Sequence, residues 1–200
     1  MAYTQALDTA IQLAAHLHRN QTRNDNNHTP YISHLMSVAM LLQSVQADED
    51  TIVAGLMHDS LEDVPGYTYE KLVTDTNVRV AEIVRHVTEP LDANKKTDEQ
   101  LPWLSRKERY LEVLRSGDRE SAMVSAADKI HNTESFIRDV TREGELFSRR
   151  FGSSVRNRVW FHTQVLGIVS EKLGQDHPLI IRLEICTRTF EELMIRLEQV

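Results

Sequence analysis

The chain has 200 residues, 40% of them hydrophobic, enough for one sizeable core. Its formal net charge of −7 offers no overall field to draw in a nucleic-acid polymer, though a small anion could still meet a locally basic pocket. No apolar run approaches the ~18 residues of a membrane span. The single cysteine, Cys186, cannot close an internal disulfide, and the start MAYTQALDTAIQLAAHLHRN lacks the basic opening of a signal peptide, so the expected location is cytoplasmic.

The chain reads as all-α, a single domain over 1–200 built of roughly eight to ten helices. Ala6, Leu7, Ala10, Ile11, Ala14 and Leu17 recur at helical spacing and predict a first helix over about 3–19. RNQTRNDNNHTP (19–30) is polar, closes on proline and reads as a loop. Ile32, Leu35, Val38, Ala39 and Leu42 mark one face of a second helix that starts near Pro30 and runs to about 45. Asp48 is placed to cap a third, whose apolar face spans Ile52 to Met57, and Pro65-Gly66 ends the segment beyond it. Short helices are expected over about 68–74, capped by Thr68, and over about 77–87. EPLDANKKTDEQLP (89–102) is a long apolar-poor loop. Ser105 is placed to cap SRKERYLEVLRSG, with Glu108 at the reciprocal position. The next helix runs from Arg119 to about Asp139 and carries Val124, Ala127, Ile130 and Phe136. Gly144 breaks the pattern before a short helix and FGSS (151–154). Two longer helices come last, over about 155–173 and 178–198, and their apolar faces could form a homodimer interface.

Four positions carry a possible chemistry: His34, the adjacent pair His58-Asp59, and Asp128. Two imidazoles and two carboxylates suit Mn²⁺, Fe²⁺ or Zn²⁺, and open positions on such an ion could acidify a water. Neighbours on a helix diverge by about 100°, so His58 and Asp59 converge on one ion only where a helix ends. Glu62 lies one turn beyond His58 and Asp63 one turn beyond Asp59. Asp128 comes after the small residues Ser125-Ala126-Ala127, which permit close helix approach, and a buried aspartate there needs a partner. The same residues also admit a plainer account, in which Asp59, Glu62 and Asp63 solvate a helix end and Asp128 pairs with Lys129 or an arginine.

Taken together and in order, QTR (21–23), TPYISH (29–34), LMHDSLEDV (56–64) and AADKIHN (126–132) resemble the HD-domain superfamily. More narrowly they resemble the hydrolase domain of the alarmone (ppGpp) synthetase–hydrolases and the single-domain small alarmone hydrolases. The resemblance covers roughly residues 3–140, and residues 141–200 are less family-specific. It implies one Mn²⁺ held by His34, His58, Asp59 and Asp128, with Glu62 and Asp63 orienting or activating the attacking water. It also implies contacts to a nucleotide from the loop arginine Arg23 and from Asn132. The chain departs from the family pattern at Asn24, Leu35 and Glu134, the last putting a negative charge where the family carries an arginine.

The reaction so implied is hydrolysis of the 3′-pyrophosphate of guanosine 3′,5′-bis(diphosphate), giving GDP and pyrophosphate. Its substrate is polyanionic, so an acidic chain must supply a local basic wall. Arg23, Lys107, Arg109 and Lys129 are the candidates, with Lys95 and Lys96 more simply read as solvated loop residues. Tyr31, one turn before His34, could stack on a base or pack in the core. His131 and His18 could face the same pocket, whereas Trp160-Phe161 read as core. The same HD chemistry on an adenosine alarmone, NADPH or a nucleoside monophosphate, and a non-enzymatic helical module, are the other classes these residues admit. With 200 residues there is no room for a synthetase domain.

Overall fold

Short polar side chains start most of the early helices. Thr4, Asp48, Thr68 and Asn77 each accept a hydrogen bond from the backbone N–H three residues on, which satisfies a donor that the first helical turn leaves bare. The structure, a computed structural model, describes residues 3–89, 102–143 and 155–198. In chain order the helices are α1 (Gln5–Leu17), α2 (Ile32–Ser44), α3 (Glu49–Met57), the single turn α4 (Ser60–Asp63), α5 (Tyr69–Asp75), α6 (Val78–Arg85), α7 (Trp103–Ser116), α8 (Arg119–Glu143), α9 (Val155–Leu173) and α10 (Pro178–Glu198). Among the described residues there is no strand beyond one isolated antiparallel bridge, Thr22 to Pro30. The fold is all-α, as the periodicity predicts.

Two boundaries differ from the sequence expectation. Ser105 does not cap α7: the helix starts three residues earlier, after Pro102, whose carbonyl accepts the Arg106 N–H at 3.2 Å. Proline suits that place because it has no N–H to leave unpaired. The added turn lets Trp103 meet the Phe161 ring edge-to-face, centroids 6.0 Å apart. At its other end α8 runs past Asp139 to Glu143, because Val140 joins Phe136, Phe190 and Met194 in a small apolar cluster. Most of the predicted 89–102 loop, with Lys95 and Lys96, lies outside the described residues, as do the short helix after Gly144 and the FGSS segment.

The long helix α8 is the spine. It packs against α2, α3, α6, α7, α9 and α10. Its segment Ser121 to Asp128 is buried throughout, and the small side chains there let neighbouring helices come close enough to surround one carboxylate. A main hydrophobic cluster draws residues from α1 through α10, including Leu35, Leu56, Ile83, Leu114, Ile130 and Leu183. The contact between α2 and α3 is equally tight. A Cβ on Gly55 would collide with the Leu42 side chain and press on Val38 at 3.4 Å. That spacing matters because α2 carries His34 and α3 ends at His58.

Candidate metal centre and active site

α3 stops at Met57, and the backbone turns through His58 and Asp59 before α4 begins. This break lets neighbouring side chains aim at one point. His34 Nε2 lies 3.3 Å from His58 Nε2, 3.5 Å from Asp59 Oδ2 and 3.2 Å from Asp128 Oδ1. His58 Nε2 lies 3.2 Å from Asp59 Oδ2 and 3.6 Å from Asp128 Oδ1. Atoms that each stand about 2.0–2.2 Å from a shared ion are separated by about these distances. His34, His58 and Asp59 form a group able to hold a metal ion; Asp128 stands outside that group, against the two imidazoles.

The surroundings prepare these atoms for a cation. His58 Nδ1 sits 2.9 Å from the Gly55 carbonyl, which fixes the proton there and leaves Nε2 with its lone pair inward. His34 Nδ1 lies 2.7 Å from His131 Nδ1. Burial, with the nearby His34 and Arg23, pushes His131 down to about 4, so its neutral ring can accept a hydrogen bond from His34 Nδ1–H. Burial alone would lower His58, yet Asp59 and Asp128 outweigh it and hold its pKa well above the ordinary imidazole value. At His34 burial wins instead and lowers the pKa, so that ring is held neutral. The donors and the electrostatics of the cluster fit a divalent metal.

Tyr31 donates to Asp59 Oδ2 at 2.7 Å and reaches Asp63 Oδ2 at 3.3 Å. Its ring stacks on His18 and carries the Arg23 guanidinium 5.5 Å from the centroid. Asp128 is engaged on both oxygens, by Lys129 Nζ at 2.6 Å and by the Asn132 amide. Asn132 in turn accepts from Arg23 Nη2 at 2.7 Å. The loop that carries Arg23 is tied down by the Arg23 N–H to the Thr29 carbonyl at 2.8 Å and by Asp25, which caps Thr29.

A small cleft of about 170 Å³ opens from this centre and is lined by Glu62, Asp63, Lys107 and Lys129, among others. The Glu62 side chain reaches solvent through it, yet the protein packed around the carboxylate, then the charges of Glu89 and Asp59, push its pKa up to about 7. The Glu89 backbone N–H donates to Glu62 Oε2 at 3.1 Å and fixes its orientation. Asp63 is raised by burial and by Asp59. A second, larger cleft of about 820 Å³ shares Tyr31, Lys107, Lys129 and Asn132 with the first and continues past Arg23 and Asn24 to Asp139, Phe190 and His162.

The structure therefore brings His34, His58, Asp59, Asp128, Glu62, Asp63, Tyr31, Arg23, Asn132, Lys107 and Lys129 to one place. Arg109 lines neither cleft, and Arg106 does. Two residues along a helix are about 200° apart, so Lys107 and Arg109 cannot share a face, whereas Trp103, Arg106, Lys107 and Tyr110 can. Glu134 also turns away: Arg182 on α10 clamps it through two hydrogen bonds of 2.7 and 2.8 Å, so its charge does not enter the cleft. Leu35 is fully buried core, and Asn24 faces the large cleft. Sequence reading missed Glu89, a buried carboxylate bound by Arg106 at 3.0 Å and by Lys107. It sits beside a polar, unpatterned stretch, where no periodicity signals burial.

Comparisons with known proteins agree with this geometry. The HD domain family model matches residues 10–152. The guanosine-3′,5′-bis(diphosphate) 3′-pyrophosphohydrolase MESH1 of Danio rerio is 33% identical over 141 residues, covering 70% of this chain and 71% of that one. The Homo sapiens MESH1 is 33% identical over 135 residues, covering 66% and 68%. The bifunctional (p)ppGpp synthase/hydrolase SpoT of Escherichia coli is 31% identical over 128 residues, 63% of this chain but only 17% of SpoT. Among solved structures, a metazoan ortholog of SpoT that hydrolyzes ppGpp superposes with a TM-score of 0.73 at 22% identity, covering 94% of this chain and 97% of the other. A Listeria monocytogenes protein superposes with a TM-score of 0.67 at 24% identity, covering 81% and 98%. The chain belongs to the HD-domain family and resembles its SpoT and MESH1 alarmone hydrolases.

Proposed function

We propose that this protein hydrolyses the 3′-pyrophosphate of guanosine 3′,5′-bis(diphosphate), releasing GDP and pyrophosphate, and releases GTP from the pentaphosphate. The observation that carries the reading is the convergence of two imidazoles that touch each other and each of two carboxylates at 3.2–3.6 Å, beside a carboxylate raised to about 7. Its relatives of closely similar length act on that substrate by name.

His34, His58, Asp59 and Asp128 would hold one divalent ion; the mixed nitrogen and oxygen donor set suits Mn²⁺, Fe²⁺ or Zn²⁺, and Mn²⁺ is the one the family resemblance implies. When bound, the ion supplies charge neutralisation on the phosphoryl oxygens and acidifies water. In the reaction, a water oxygen bonds to the phosphorus attached to O3′, the O3′–P bond breaks, and O3′ leaves with a proton. Glu62 accepts the proton of the attacking water, its acceptor oxygen aimed by the Glu89 N–H. Asp63 orients that water, and Tyr31 keeps Asp59 and Asp63 in place through its hydroxyl. Arg23, Lys107 and Lys129 meet the phosphates, with Arg23 held in position by Asn132. Arg106 lines the large cleft and Arg109 does not, which supports giving Arg106 the phosphate contact first expected of Arg109.

The direct test is a Mn²⁺-supplemented assay on guanosine 3′,5′-bis(diphosphate) with product identification. Pyrophosphate and GDP, lost on chelation and restored by Mn²⁺, are expected. Orthophosphate from a nucleoside 5′-monophosphate, with the bis-diphosphate untouched, would refute the reading.

A further inference from the structure

The large cleft is electrically polar along its length. At the metal end stand Arg106, Lys107 and Lys129. From there the floor runs along α8, whose residues Asp128, Asn132, Ser135 and Asp139 recur at helical spacing and so share one stripe. The span from Asp128 to Asp139 is about 16 Å at the helical rise, comparable to a nucleotide laid out from its 3′-phosphoryl group to the far edge of a purine. The opposite wall is the 22–26 loop, pinned to α8 by Arg23 to Asn132 and by Asn26 to Glu143. Two carboxylates, Asp25 and Asp139, line this far end. Arg138 and Arg142 offset the charge of Asp139, so what this end offers a ligand is carboxylate acceptors for N–H donors.

Asp25 is committed, since its two oxygens take the Thr29 N–H and hydroxyl. Asp139 is not. Its residue is 5% exposed, and only Oδ1 is engaged, by Arg138 and Arg142 at 3.4 Å each, the outer edge of a useful contact. Among the described residues Oδ2 has no hydrogen-bond partner. Asp139 lines the large cleft, so an oxygen that no protein group engages is open there to a bound donor.

We infer that Asp139 is the specificity-determining residue for the base, its Oδ2 accepting the ring N–H and the exocyclic NH₂ on the Watson–Crick edge of guanine. The inference rests on the proposed function and goes beyond it by naming how guanosine is told from adenosine. Adenine presents an acceptor where guanine presents the ring N–H, so a carboxylate rejects it. An amide offers one acceptor and one donor, which matches adenine instead. A site built around a hydrogen bond discriminates far more sharply than an apolar one.

The test compares the wild-type chain with Asp139→Asn, which is nearly isosteric, and Asp139→Ala. Each is loaded with Mn²⁺ and given guanosine, inosine and adenosine 3′,5′-bis(diphosphate). The wild type is expected to favour guanosine over adenosine by at least about tenfold in kcat/KM, with inosine between. Asp139→Ala should raise KM for guanosine, leave kcat nearly unchanged and bring the ratio close to one. Asp139→Asn should move the preference toward adenosine. Variants that turn over and keep the wild-type base ratio overturn the inference alone. A wild type inert on all three substrates refutes the proposed function, and this inference with it.

Discussion

Glu62 and His58 sit one turn apart, and substitution should separate their roles. His58→Ala is expected to lose both metal and turnover, read by elemental analysis and by pyrophosphate release. Glu62→Gln should keep the metal and lose about 10²–10⁴-fold in kcat. The pH profile is set by the raised pKa of Glu62, about 7. A base must be deprotonated, so kcat should fall as pH drops through its pKa. A bound cation pulls that pKa down, so the acid limb is expected at or below pH 7, and Glu62→Gln should abolish it. Glu134 gives the contrasting case. Its charge looks like a defect of the pocket in the sequence, but Arg182 has taken it. Glu134→Gln should leave KM unchanged and cost less than about 1 kcal/mol in denaturation, because the pair is partly exposed. The proposed metal ligands were legible because their motif blocks are local and spaced. Arg182, 48 positions away, was not legible as Glu134's partner.

Among the elements, the packing of α2 on α3 decides whether two imidazoles can share an ion. Gly55 allows that approach, and its carbonyl also orients His58. Gly55→Ala should raise helix propensity by up to about 1 kcal/mol yet lose more to overpacking, about 1–3 kcal/mol. The expected outcome is a lower denaturation midpoint together with weaker metal retention, measured on one preparation. The caps at Asp48 and Thr68 were readable because a cap is a contact within one turn. The start of α7 was not, since it answers to Phe161 on another helix. The sequence favoured Ser105 on local chemistry, and ring packing outweighed it.

For the molecule as a whole, a net charge of −7 surrounds a cleft lined by Arg23, Arg106, Lys107 and Lys129. Attraction of a polyanion is then short-ranged and sensitive to screening, which at physiological salt acts beyond about 8 Å. KM for the bis-diphosphate should rise with added salt while kcat stays nearly flat, as steady-state kinetics at several ionic strengths would show. No described helix is long and apolar enough to cross a membrane. The sequence by itself determined the all-α class and most helix positions, because periodicity and capping are written locally, and its resemblance to the HD family named the six residues from His34 to Asp128 of the proposed centre. Only the tertiary structure decided that Arg106 rather than Arg109 lines the large cleft, that the Glu89 N–H meets Glu62, and that Asp139, engaged through Oδ1, lies along the same cleft. Those facts depend on which faces of α7, α8 and the 22–26 loop meet, and no local pattern encodes that distance.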